Sequence, residues 1–174
     1  ELFKGLYLEE NWNFEKVYPV LSISFARARF YDLQNLNDNI EEILTLNAGQ
    51  LGLELRGKTI NGRFKNLIVD TADKYARRVV ILIDEYDKPI LDNLEDKPKA
   101  EEMRDGLKNF YSVLKDSDAS IKFCFITGVS KFSRVSIFSD LNNLEDISLS
   151  SDMGAICGYT QEELEDTFAE RLSG

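Results

Sequence analysis

The chain predicts an α/β fold with a mostly parallel sheet flanked by helices. Three observations carry this. The run Val79-Val80-Ile81-Leu82-Ile83 is five consecutive aliphatic residues. A run of that length without a polar residue predicts a strand buried on both faces, as in parallel sheets. Helical patterns stand on either side of it. Finally, apolar strand-like runs recur at Tyr18–Phe25 and Ile121–Ile126, so strands and helices alternate along the chain. That alternation implies right-handed crossovers.

Each element has its own signal. Tyr18 to Phe25 reads as a first strand, with Pro19 near its start, where the missing N–H is tolerated. Asn37 to Leu46 predicts a helix on Ile40, Ile43, Leu44 and Leu46. Asn47 to Gly62 reads as a glycine-punctuated loop. Phe64, Leu67, Ile68, Thr71, Ala72 and Tyr75 mark a second helix, which feeds the strand Val79–Ile83. Lys97-Pro98 opens a longer helix whose buried stripe is Met103, Leu107, Phe110, Tyr111 and Leu114, at spacings of three and four. Ile121 to Ile126 is a strand, all apolar except Lys122. Asp146 to Leu149 predicts a short last strand. Thr160-Gln161-Glu162-Glu163 has the form of a capping box and starts a final helix.

Composition narrows the chemistry. The 174 residues are 43% hydrophobic and 30% charged, which suits one domain with a core large enough to fold. The net charge is −10 and the pI near 4.6. No basic patch stands out, which argues against nucleic-acid binding by this segment. No apolar run approaches the roughly 20 residues that span a bilayer. The opening Glu1-Leu2-Phe3-Lys4-Gly5 is not a signal peptide. Histidine is absent, so within this chain there is no Ser-His or Cys-His nucleophile and no His-ligated zinc. Cys124 and Cys157 lack metal-ligand spacing. Cys124 reads as a small core residue, and the protein as cytoplasmic and free of disulfides.

The strand Val79–Ile83 runs directly into Asp84-Glu85. Two acids at the C-terminal tip of a buried parallel strand lie where open α/β sheets bind ligands. This is the Walker B pattern of nucleotide hydrolases, in which the Asp holds magnesium or its water and the next acid polarises the attacking water. The alternative is a strand that ends in acids for structural reasons, with Asp87 capping a helix that opens with Pro89.

Gly52-Leu53-Glu54-Leu55-Arg56-Gly57-Lys58-Thr59 fits the Walker A pattern letter for letter. Its context does not. A phosphate loop leaves a strand and opens a helix, so that backbone N–H groups face the phosphates. Here the preceding segment is helical in pattern, Leu53 and Leu55 are bulky, and Asn61-Gly62 is expected to interrupt the helix that follows.

Three further segments accompany Leu82-Ile83-Asp84-Glu85-Tyr86-Asp87-Lys88-Pro89. They are Phe123-Cys124-Phe125-Ile126-Thr127-Gly128-Val129-Ser130-Lys131-Phe132-Ser133, then Ser136-Ile137-Phe138-Ser139-Asp140-Leu141-Asn142-Asn143-Leu144, then Ile156-Cys157-Gly158-Tyr159-Thr160. Together, over roughly Leu2 to Phe168, they resemble the bacterial AAA-ATPase-like family. Its members are uncharacterised ATP-binding proteins, often with a C-terminal nuclease-like domain. The resemblance implies a P-loop core of the additional-strand type. Residues 1–174 would form its Walker B and sensor portion, with a following helical region starting at roughly residue 155. The family's own phosphate loop should precede the segment resembling Leu2 to Tyr18, so the chain is expected to be an internal piece.

Residue by residue, the resemblance gives Asp84 the magnesium, Glu85 the role of catalytic base, and Thr127 the place of a sensor at the tip of the next core strand. Thr127 could equally satisfy a local backbone group. Lys131 and Arg134 either approach a phosphate or sit in solvent. Asn142-Asn143 reads as a turn. The cofactors implied are ATP and Mg2+ in the full-length protein, with none expected on these residues alone. The partner is a nucleotide, and self-association through an exposed sheet edge is a further expectation. A non-catalytic binding or regulatory module is the competing reading. A metal-dependent nuclease built from Asp70, Asp73, Asp84, Glu85 and Asp87 ranks last, because Asp70 and Asp73 are expected to face solvent and the surface is acidic.

Overall fold

The structure, a computed structural model, describes residues 2–129, 137–138, 141–148, 150–156, 158 and 160–172. The chain forms two units, Glu1–Asn142 and Asn143–Gly174.

The first unit opens with a short helix α1 (Tyr7–Asn11), wholly exposed. A parallel sheet of three strands follows: β1 (Val20–Ser24), β2 (Val79–Asp84) and β3 (Ile121–Ile126). The order is β1-β2-β3, with β2 in the middle. Helices α2 (Leu33–Gln50) and α3 (Ile60–Tyr75) connect β1 to β2. The short α4 (Lys88–Leu91) and the long α5 (Lys97–Asp116) connect β2 to β3.

Both crossovers step the same way across the sheet. Being right-handed, they place their helices on one face. On that face Leu21, Ile23, Val79, Ile81 and Ile83 are buried, all at 1% exposure or less. They meet Leu36, Ile40 and Leu44 of α2 and Phe64, Leu67 and Ile68 of α3. The expected stripe of α5, Met103, Leu107, Phe110, Tyr111 and Leu114, is buried throughout. The rings of Phe64 and Phe110 stack at 4.7 Å between centroids, joining α3 to α5.

The opposite face corrects one expectation. In register, Val80 pairs with Val20 on one side and Phe123 on the other, and Leu82 with Ser22 and Phe125. Here Val20, Leu82 and Phe123 are 43%, 39% and 54% exposed. The central strand is therefore not buried on both faces in this unit, because no crossover lies on the second face.

The two sheet edges also differ. Asn47, buried in α2, donates from Nδ2 to Ser22 O (2.8 Å) and accepts from Ser22 N (2.9 Å). One side chain thus occupies the outer edge of β1. Among the described residues nothing pairs with the outer edge of β3.

Element boundaries depart from the pattern where a cap decides them. Helix α2 begins at Leu33 rather than Asn37, because Asp32 caps it by accepting from Asn35 N at 2.7 Å. Helix α3 begins at Ile60, with Thr59 Oγ1 accepting from Gly62 N at 3.1 Å. Asn61-Gly62 therefore lies inside the first turn and does not interrupt the helix, and Asn61 Nδ2 also bonds to Asn109 on α5. Helix α5 starts as expected, capped by Asp96.

In the second unit residues 146–148 are not a strand, which corrects the short strand expected there; Leu149 lies outside the described residues. The capping box at Thr160 is present. Glu163 N donates to Thr160 Oγ1 (3.2 Å), while Thr160 N (2.8 Å) and Thr160 Oγ1 (3.0 Å) both bond Glu163 Oε2, which lowers the Glu163 carboxyl below its usual range. The box starts α6 (Gln161–Thr167), followed by α7 (Ala169–Leu172). Among the described residues no helix is long and apolar enough to cross a membrane.

Candidate functional site at the strand tips

The strand register brings Ser24 and Asp84 side by side at the C-terminal ends of β1 and β2. Thr127 follows directly on β3. Its N–H donates to Ile83 O at 2.8 Å, extending the ladder by one bond. Its hydroxyl donates to Asp84 Oδ1 at 2.7 Å. Two residues picked out 43 positions apart in the sequence are thus in direct contact.

Glu85 is half-buried, and its backbone is left-handed at φ 52°. That conformation costs a non-glycine residue on the order of 1 kcal/mol, and it persists where surrounding bonds over-determine it. They do so here. Tyr86 N donates to Thr127 O (3.0 Å), and Lys88 N to Glu85 O (3.1 Å). Tyr111 OH reaches from α5 to Tyr86 O at 3.1 Å. Burial, with the nearby Tyr86 and Asp87, pushes the Tyr111 phenol well above its ordinary value. The hydroxyl therefore stays a donor through neutral and moderately alkaline pH.

Asp87 is fully buried. It stands at the N-cap position of α4, yet its side chain makes no cap bond there. Instead Oδ1 accepts from Val129 N at 3.2 Å, holding the loop after β3. This corrects the capping role considered for it. Gly128 is required at its position: a Cβ there would overlap the Tyr86 ring and come within 2.7 Å of Asp87 Oδ1.

A second loop at this end of the sheet carries Arg27 and Arg29, both exposed. It is anchored twice to the end of α4. Asp92 Oδ2 accepts from Phe30 N (3.0 Å), and the buried Asn93 donates to Phe30 O (3.0 Å) and Pro89 O (2.9 Å).

Magnesium favours oxygen ligands and is often held by one or two carboxylates plus phosphate and water. Asp84 suits this: it is exposed, and Thr127 is bonded to its Oδ1. Among the described residues no three His, Cys, Asp or Glu side chains form a ready-made metal cluster. Asp70 does not join Asp84. It pairs with Arg56, and α3 delivers the chain to the opposite end of β2, about 17 Å from Asp84 at roughly 3.3 Å per residue.

The Walker A look-alike connects two helices, with no strand before it. Its groups are engaged by α3. Lys74 Nζ donates to Leu51 O and Gly52 O at 2.8 and 2.9 Å, Arg63 to Gly57 O at 3.0 Å, and Asn66 to Arg56 O at 2.9 Å. Lys58 is exposed, and Thr59 serves as the α3 cap. Lys58→Ala is expected to change nucleotide affinity of the full-length protein by less than about twofold, since an exposed lysine contributes little. A tenfold loss in calorimetry would contradict this.

Lys131, Arg134 and Cys157 lie outside the described residues, and Asn142-Asn143 forms the expected turn. Cys124 is partly buried on β3, and burial pushes its thiol up to about 12, so it is an inert neutral group. Sequence reasoning missed the side-chain role of Asp87 and the need for Gly128. The only signal for either was a Thr-Gly pair closing a strand.

Comparison with known proteins finds the same family from a different direction. The family described as "Predicted AAA-ATPase" matches residues 1–138. An uncharacterised protein of the vnfD 5′ region from Azotobacter chroococcum mcd 1 is 48% identical over 173 residues. The match covers 99% of this chain and 34% of that relative, so the chain spans about a third of the relative's length. No solved structure matches.

Proposed function

The chain belongs to the AAA-ATPase-like family, and from that premise we propose that it supplies the Walker B and sensor portion of a domain that binds and hydrolyses ATP. The observation that carries this reading is the Thr127–Asp84 contact at the C-terminal edge of a parallel sheet, with Glu85 next in the chain. Asp84 and a triphosphate would together hold Mg2+, which supplies charge neutralisation at the phosphates. Glu85 follows Asp84 directly, on a turn fixed by bonds to β3, and would accept the proton of the attacking water. Thr127 orients the Asp84 carboxylate and brings a hydroxyl beside it. The phosphate loop is expected from chain N-terminal to Glu1. What hydrolysis drives would be an attached module or partner.

In the full-length protein, Asp84→Asn tests the reading through magnesium. Replacing the carboxylate by a neutral amide should weaken Mg-ATP by about tenfold or more and leave magnesium-free ATP binding nearly unchanged. Equal loss with and without magnesium would reject a metal role for Asp84.

A further inference from the structure

Asp87 and Gly128 lie outside the acid pair and the sensor, yet they close the site from behind. Among the described residues, four of the hydrogen bonds that tie the segment Ile83–Asp87 to the loop Thr127–Val129 bear on the site. Thr127 N donates to Ile83 O, Tyr86 N to Thr127 O, Thr127 Oγ1 to Asp84 Oδ1, and Val129 N to Asp87 Oδ1. Three of these involve groups that any residue, or any hydroxyl residue, could supply. The fourth needs a buried carboxylate, and burying a carboxylate is costly unless its oxygens are used. Gly128 completes the contact, since only a residue without a Cβ lets Tyr86 and Asp87 approach so closely.

We propose that Asp87 is a positioning residue for the site. Its carboxylate locks the 127–129 loop onto the turn, so that Asp84, Glu85 and Thr127 keep one arrangement. The left-handed backbone of Glu85 is a strained conformation, flanked on both sides by bonds of this interlock. Released from Val129, the loop loses its hold on Tyr86 N, and the Glu85 backbone can relax into an ordinary conformation. Its carboxylate then points elsewhere. A displacement of about 1 Å in a positioned group is enough to cost on the order of 100-fold in turnover. The inference rests on the ATPase reading above.

The test is steady-state ATPase in the full-length protein, with melting temperatures alongside. Asp87→Ala removes the acceptor. Asp87→Asn keeps an oxygen for Val129 N and removes the charge. Gly128→Ala pushes on the same contact from the loop side without altering any acid. Asp87→Ala and Gly128→Ala should lower kcat about 100-fold with KM for ATP within about threefold. Asp87→Asn should recover to within about fivefold of wild type. If Asp87→Ala does not fold, the contrast between Asp87→Asn and Gly128→Ala decides. Wild-type kcat in folded Asp87→Ala, or in Gly128→Ala, overturns the proposal, as does Asp87→Asn falling as far as Gly128→Ala. A wild-type protein with no nucleotide hydrolysis rejects the ATPase reading itself and this inference with it. An active wild type with an equally active Asp87→Ala rejects the inference alone.

Discussion

Glu85→Gln in the full-length protein is expected to keep ATP bound and to lower turnover by about 100- to 10,000-fold. Gln has the size of Glu and meets the same steric cost in a left-handed backbone, so the turn at φ 52° should survive. The melting temperature should be unchanged. What disappears is the proton acceptor: an amide cannot take the proton of the attacking water, and general bases contribute about 10² to 10⁴ in rate. ATP affinity should stay within about threefold, because the base is needed for the chemical step. Wild-type turnover in this variant would remove Glu85 from the chemistry. A large fall in melting temperature would instead make it a structural residue of the turn.

Residues 1–174 in isolation are expected to bind Mg-ATP at least 1,000-fold more weakly than the full-length protein and to self-associate. Walker phosphate sites hold the triphosphate on successive backbone N–H groups at a helix N-terminus. The one sequence match to such a loop, Gly52–Thr59, is engaged by Lys74, Arg63 and Asn66. At the same time, among the described residues, nothing pairs with the outer edge of β3, beside Phe123, which is 54% exposed. Open, apolar edges recruit further strands. Sedimentation should therefore show a concentration-dependent assembly, reduced in Phe123→Lys, since a charge on an edge strand opposes pairing. Calorimetry with tight, magnesium-dependent ATP binding, or a monomer at high concentration, would contradict one or the other half. The edge of β1 gives no such route, because Asn47 already occupies it.

Much of this protein is decided locally and so can be read along the chain. The run Val79–Ile83 reads as β2 because it is short and rich in β-branched residues, which favours a strand over a helix. The α5 stripe from Met103 to Leu114 fixes which face of that helix is buried. The capping box at Thr160 starts α6 with bonds that span three residues. Asp84 and Glu85 are likewise legible, because their position at a strand tip follows from the strand itself.

What the chain could not reveal depends on residues far apart in sequence. Thr127 and Asp84 meet only because β3 pairs with β2 in one register. The open second face of the sheet, with Leu82 exposed, follows from the sense of two crossovers and from nothing in the strand. Asn47 reads as the first residue of a loop, yet it lies inside α2 and its side chain bonds the edge of β1 at Ser22. Asp87 reads as a helix cap from its neighbours, Lys88 and Pro89. Its carboxylate goes to Val129 instead, because the loop after β3, 42 residues away in sequence, packs on the turn. The left-handed backbone of Glu85 is the clearest case. Local preference opposes it, and only the bonds from β3 on either side of the turn make it the lower-energy arrangement.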